Sequence, residues 1–228
     1  MDYSRILVFG AHPDDELTMA PTMAMLAERG VEVYICISTN GSEGYPKQEW
    51  KDEIVSLRAQ EQADADAIIG TRERICIGAD DMGLTNDKAT FKEFIRVVRQ
   101  VRPDVVFTHG PHDMHRDHLN THALSIEAVW QAANPVSMEL GEQWRTPYIF
   151  YYKGVADRQP DIVLDVRNWA HVRPLTQATQ RTQLTLWNTT DEKLQAEANR
   201  LRNSEAPYTN TFWFYDRTHL SYLPGLGE

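Results

Sequence analysis

The sequence predicts an α/β fold, with a doubly wound, mostly parallel sheet and helices on both faces. Three observations carry it. Short Val-, Ile- and Phe-rich runs recur along the first half of the chain. Each is too short for a typical helix and reads as a strand buried on both faces. Each is followed by a segment of helical pattern, and strands alternating with helices of this length mean βαβ units.

In chain order, Arg5–Phe9 is the first strand and ends at Gly10. Leu17–Arg29, rich in Ala, Met and Leu, is a helix with Gly30 as its C-cap. Val31–Ser38 is the second strand, and Glu49–Ile69 a long amphipathic helix closed by Gly70. Arg74–Gly78 is the third strand. Lys88–Val101 carries Phe91, Phe94, Ile95 and Val98 at helical spacing, and Pro103 bars its continuation. Asp104–His109 is the fourth strand and Asp117–Ala133 the helix after it. Right-handed crossovers then give a Rossmann-like half with strand order 3-2-1-4. Beyond it, Pro147–Tyr152 and Asp161–Val166 are two further strands. The Gln/Thr-rich stretch after Trp169 and the segment Asp191–Asn203 read as helical. The aromatic tail Thr211–Leu223 has no clear period and stays unassigned.

The chain has 228 residues, 42% hydrophobic and 25% charged, and no linker, repeat or low-complexity tract. That is the composition of one soluble domain, taken as residues 1–228. No apolar run approaches the roughly 20 residues that span a bilayer. The N-terminus lacks a basic region followed by an apolar one, so the expectation is a cytoplasmic protein without a signal peptide. Cys36 and Cys76 sit in apolar stretches and are expected to be buried thiols, not a disulfide. The net charge of −10 argues against nucleic acid or an anionic membrane as partner.

The loop after the first strand reads Gly10-Ala11-His12-Pro13-Asp14-Asp15-Glu16. A phosphate-binding loop would place glycines here, and carboxylates would repel a phosphate. A dinucleotide-dependent dehydrogenase is disfavoured. Helix capping alone accounts for the acids but not for His12. His12 and Asp15, two residues apart around Pro13, can aim a nitrogen and an oxygen at one point, a partial zinc ligand set. The loop after the fourth strand supplies more. His109, His112, His115, His118 and His122 are five of the eight histidines in the chain. Strands one and four are neighbours in a doubly wound sheet, and ligands bind at their carboxyl ends. Two segments about a hundred residues apart therefore converge on one crevice. Two nitrogens, one carboxylate and an open position suit catalytic zinc.

Ala11-His12-Pro13-Asp14-Asp15-Glu16 after the first strand and His115-Arg116-Asp117-His118 after the fourth resemble the LmbE-like (PIG-L-type) zinc-dependent N-deacetylases. The likeness extends over roughly the first 125 residues, including Thr39-Asn40-Gly41 and Arg58-x-x-Glu61, and fades after Val136. It implies an LmbE-like fold. It implies that His12, Asp15 and His118 bind one Zn2+ per chain, although Fe2+ or Co2+ would also fit. Asp14 would be the general base, His115 an imidazolium stabilising the oxyanion, and Asp117 a partner that orients a histidine. Arg58 and Asp81 match positions that touch substrate in some relatives. The His-x-Ser-Gln motif of many relatives is reduced here to Gln180-Arg181-Thr182-Gln183.

The implied reaction is removal of the N-acetyl group from an N-acetylglucosamine-type sugar or conjugate, giving free amine and acetate. The small acetamido sugar would be its partner, and the family implies a homo-oligomer. The divergent part, about 137–228, would shape the substrate site or an oligomer interface. The aromatic groups Tyr148–Tyr152 and Phe212–Tyr215 suit sugar stacking, but burial in a core is the stronger reading. Two alternatives remain. One is a metal-dependent hydratase or lyase acting on an unsaturated carboxylic acid, with Arg58, Arg72 and Arg74 as carboxylate binders. The other is a non-catalytic metal-binding protein, against which Asp14 speaks, because a pure binding site needs no base.

Overall fold

The computed structural model describes residues 3–215. The strands are β1 (Arg5–Gly10), β2 (Glu32–Thr39), β3 (Glu73–Ala79), β4 (Val105–His109), β5 (Tyr148–Lys153), β6 (Ile162–Asp165) and β7 (Thr209–Phe214). The helices are α1 (Ala20–Glu28), α2 (Ile54–Ile69), α3 (Lys88–Val101), α4 (Arg116–Ala132), α5 (Val172–Thr179) and α6 (Asp191–Arg202). The strands form one seven-stranded sheet in the order β3-β2-β1-β4-β5-β7-β6. The pairs from β3 to β5 are parallel, and β7 runs antiparallel to both β5 and β6. The expected order 3-2-1-4 and the mostly parallel sheet are both present.

The apolar runs dictate two cores, one on each face of the sheet. Ile6, Val8, Ile35 and Phe107 point to one side and pack with Met23 and Leu26 of α1 and Ile69 of α2. Leu7, Phe9, Cys36 and Val106 point to the other and pack with Phe94 and Val98 of α3 and Leu124 of α4. Alternation along a strand does this automatically, so a strand apolar at every position needs a helix layer on each side. The α3 helix is set at both ends by its sequence. Asp87 accepts hydrogen bonds from the Ala89 and Thr90 N–H groups, and Arg102 closes it in the left-handed region at φ 55° before Pro103.

Four local expectations differ. The first turn expected of the helix from Leu17 is a 3₁₀ turn over Asp15–Met19, with α1 proper starting at Ala20. The Glu49–Ile69 helix begins only at Ile54, after a short 3₁₀ turn at Gln48–Trp50. β3 is an edge strand rather than one buried on both faces, which leaves Cys76 exposed while Cys36 is buried; both thiols are free. The Gln/Thr-rich stretch is helical only to Thr179, and residues 181–188 are turns. Of the unassigned tail, Thr211–Phe214 belongs to β7 and pairs with β5 and β6; residues after 215 lie outside the described residues.

Most of the two aromatic groups lies in the core, although Tyr215 is exposed and Tyr148 and Trp213 are half-buried. Phe150, Phe212 and Phe214 are buried and contact one another or Phe107, with ring centroids 4.7–5.6 Å apart.

Candidate metal centre and active site

β1 and β4 are hydrogen-bonded neighbours, and the loops leaving their carboxyl ends meet. Seven of the eight residues singled out from the sequence line one open cavity of about 490 Å³: His12, Asp14, Asp15, Arg58, Asp81, His115 and His118. Asp117, the eighth, is fully buried behind His12. A larger cavity of about 740 Å³ beside Trp169 and Glu28 shares none of these residues.

The two histidines are held by carboxylates on their far sides. His12 Nε2 lies 3.2 Å from Asp117 Oδ2, and His118 Nδ1 lies 2.8 Å from Asp113 Oδ2. With those ring N–H groups donated to carboxylates, each imidazole presents a bare lone pair on its other nitrogen. The two bare nitrogens, His12 Nδ1 and His118 Nε2, face each other at 3.1 Å. Asp15 completes the triangle, with Oδ2 3.5 Å from His12 Nδ1 and Oδ1 3.4 Å from His118 Nε2. Metal–ligand bonds of about 2.0–2.1 Å in a tetrahedron set donor atoms roughly 3.3–3.4 Å apart. Two acceptors pointed at each other repel unless a cation lies between them. The donor set thus fits a small, borderline-soft divalent metal. Two further triplets share His118 with this triangle, His12, His115 and His118 and Asp15, His109 and His118, while His12, Asp81 and Asp117 gather on the far side of the His12 ring, around its Nε2.

Asp15 is fixed before any ligand arrives. Its Oδ2 accepts the Ala11 and His12 backbone N–H groups at 3.0 and 2.8 Å. Burial pushes its carboxyl up, but His109, His118 and His12 around it pull it well below the ordinary range. Asp14 goes the other way. Burial raises it, against the opposing pull of Arg58, whose Nη2 donates to Asp14 Oδ2 at 2.7 Å. The two neighbouring carboxyls are thus shifted in opposite directions, Asp15 down and Asp14 up.

His115 caps α4, its Nδ1 accepting the Asp117 N–H at 3.2 Å. Burial together with His12 and His118 lowers its basicity, and an accepting Nδ1 puts the proton of the neutral ring on Nε2. The shift runs against the expected imidazolium form, and in the neutral ring Nε2–H is the donor. Asp81 Oδ1 lies 2.6 Å from the Thr39 hydroxyl, and its Oδ2 accepts the Glu43 N–H.

Several residues around the site were given no individual role from the sequence, although His109 belongs to the histidine cluster and Thr182 and Gln183 to the Gln180–Gln183 motif remnant. Asp113 orients His118. His109, buried at the end of β4, has Nε2 within 3.1 Å of the Tyr152 hydroxyl and 3.3 Å of Asp15 Oδ2. Burial lowers the His109 pKa to about 4, so the ring is neutral. Lys153 Nζ lies 2.5 Å from Asp15 Oδ1. The C-terminal part also reaches in. Thr182 donates to Glu61 of α2 through its N–H at 2.7 Å and its hydroxyl at 2.8 Å. Gln183 donates to the Gly44 carbonyl at 2.8 Å. Gly44 itself makes room for Arg58, since a Cβ there would stand 2.5 Å from Arg58 Nη1. Thr182 and Gln183 thereby hold α2 and the 41–44 loop, which hold Arg58 on Asp14. The Thr182–Glu61 contact spans 121 residues; Arg58-x-x-Glu61 and Gln180–Gln183 mark its two ends, but nothing local pairs them.

Residues 7–129, more than half of the chain, match the family model described as PIG-L: GlcNAc-PI de-N-acetylase. The chain is 31% identical over 176 residues to the 1D-myo-inositol 2-acetamido-2-deoxy-alpha-D-glucopyranoside deacetylase of Rhodococcus erythropolis, covering 64% of this chain and 60% of the relative. The chain thus spans less than two thirds of that curated relative. The structure resembles the N,N'-diacetylchitobiose deacetylase of Pyrococcus horikoshii, with a TM-score of 0.79, 22% identity, and coverage of 92% and 83%. It also resembles GalB, the 4-carboxy-2-hydroxymuconate hydratase of Pseudomonas putida, with a TM-score of 0.76, 21% identity, and coverage of 93% and 96%. At these identities the structural likenesses show the shared fold.

Proposed function

The chain belongs to the PIG-L family of de-N-acetylases, and from that premise we propose that it is a metal-dependent amidohydrolase. Its substrate is an N-acetylglucosamine-type sugar or conjugate, and its products are the free amine and acetate. The observation that carries the reading is the pair of bare imidazole nitrogens 3.1 Å apart beside Asp15, with a base one residue away. His12, Asp15 and His118 would hold the metal, for which we propose zinc. When bound, zinc lowers the pKa of a coordinated water towards ~7 and polarises a carbonyl.

The chain supplies the remaining parts. Asp14 keeps Oδ2 on Arg58, so its Oδ1 is free to take the proton of the attacking water. His115 lines the cavity, and its Nε2–H would donate to the oxygen that gains charge as the amide carbon becomes tetrahedral. Asp14, now protonated, returns its proton to the departing amine. Asp117 and Asp113 keep His12 and His118 in the tautomers that ligation needs. Asp81 and Arg58 both line the cavity; Asp81 would contact the sugar, while Arg58, buried on Asp14, acts through that carboxylate. We place the enzyme in the cytoplasm as a homo-oligomer; none of the described helices is long and apolar enough to cross a membrane.

The hydratase alternative has less support, because its carboxylate binders are engaged elsewhere. Arg58 pairs with Asp14, Arg74 with Glu16 and Asp66, and Arg72 with Glu32. The test is acetate release from N-acetylglucosamine and its β-1,4 disaccharide by zinc-loaded protein. Acetate from either supports the reading. Hydration of an unsaturated carboxylic acid with no acetate from any acetamido sugar contradicts it.

A further inference from the structure

The Asp15 oxygen aimed at the metal position is not free. Oδ2 is taken up by two backbone N–H groups, and Oδ1, 3.4 Å from His118 Nε2, holds the Lys153 ammonium at 2.5 Å. Lys153 reaches it from a clamped backbone. Its carbonyl accepts the Gly110 N–H at 2.7 Å, and the next carbonyl, Gly154 O, accepts the His112 N–H at 2.8 Å. A Cβ on Gly110 would stand 2.3 Å from Gly154 O, so strand β5 and the histidine-bearing loop meet with no room for a side chain. The register of β4 against β5 shifts between Thr108 and His109, which brings Lys153 opposite His109 at the strand end. The ammonium can therefore leave Asp15 only by rotation of its own flexible four-carbon stem.

We propose that Lys153 is a positioning residue that sets the metal affinity of this site by sharing Asp15 with the cation. In the metal-free protein it is a positive neighbour on a buried carboxylate that two backbone N–H groups already hold. Against a divalent cation it acts as a fixed positive neighbour on the same ligand and weakens binding. Most outer-shell partners of a ligand are acceptors or neutral donors that strengthen it; a cation at this contact works in the opposite sense. The inference rests on the metal-site reading above.

The experiment measures zinc affinity of purified, metal-stripped full chain by competition with a chromogenic chelator at fixed pH and ionic strength. Wild type, Lys153→Met, Lys153→Gln and Lys153→Arg are compared. Outer-shell changes typically move metal affinity by about 10- to 100-fold. The expected result is tightening of that size for the Met and Gln variants, with Arg close to wild type. The metal-free Met variant should also melt at a lower temperature than wild type and gain more on zinc addition. A merely structural lysine would give weaker zinc binding on removal, never tighter. Should the Met variant fail to fold, the Gln variant keeps a donor for Asp15 while removing the charge. Zinc affinity of the Met and Gln variants equal to or below wild type overturns the role of Lys153. A wild type that binds no zinc overturns the metal site itself.

Discussion

The loops after β1 and β4 and the segment Gln180–Gln183 serve the same cavity in different ways. The loops carry the atoms that face it: His12, Asp14 and Asp15 from one, His115 and His118 from the other. The C-terminal segment carries none of those atoms. It grips Glu61 and Gly44, and through them steadies the arginine that pairs with Asp14. The first region performs chemistry with short, polar, locally patterned sequence. The second performs support with ordinary Gln and Thr side chains whose partners are more than a hundred residues away. Damage to the first should abolish activity in a folded protein. Damage to the second should lower stability and activity together.

The comparison can be broken at its strong end first. His118→Ala removes one of the two facing nitrogens, and the variant is expected to purify without zinc and to show no acetate release. Metal analysis of the folded protein checks this, and an unchanged zinc content would show the ligand set to be wrong. Asp14→Ala should keep its metal and lose about 10²–10⁴-fold in kcat, the usual contribution of a positioned general base. Steady-state kinetics on metal-loaded protein reads it. Asp113→Ala lies behind His118 and should cost about 10- to 100-fold in metal affinity with the fold intact, as measured by chelator competition. Thr182→Val removes a buried hydroxyl from Glu61 and should cost roughly 1–3 kcal/mol of stability, read from denaturant unfolding, with a smaller loss of kcat.

The smallest effect is a pH slope. Burial raises the Glu61 carboxyl above its ordinary value, despite the donors from Thr182. A raised acid contributes stability below its unfolded pKa of about 4.3 and loses it as pH rises through the folded value. Unfolding free energies measured upwards from pH 4 should fall more steeply for wild type than for Glu61→Gln. Identical slopes would assign the Thr182–Glu61 contact to packing alone.

The same contrast explains what could be read in advance. β1, β2 and β4 announce themselves because strands covered on both faces must be apolar at nearly every position. The convergence of His12–Asp15 with His115–His118 follows from strand order, since adjacent strands with opposite crossovers leave their loops side by side. β3 was misjudged because Ile75 and Ile77 look like a central strand, while the sheet simply ends there. The start of α2 was misjudged because Trp50 continues the apolar pattern through a 3₁₀ turn. Asp113 was overlooked because a carboxylate in a polar loop carries no signal until the histidine it orients is known. Lys153 depends on a register shift between two strands, and Thr182 and Gln183 on a contact across most of the chain.

The proposed deacetylase depends on the β1 and β4 loops meeting in one metal site. The most direct measurement is titration of metal-stripped protein with zinc while acetate release from N-acetylglucosamine or its β-1,4 disaccharide is followed. Stripped protein should be inactive, and activity should rise and saturate at one zinc per chain. Acetate release that is undiminished in fully stripped protein, or a chain that takes up no zinc at all, would contradict this expectation.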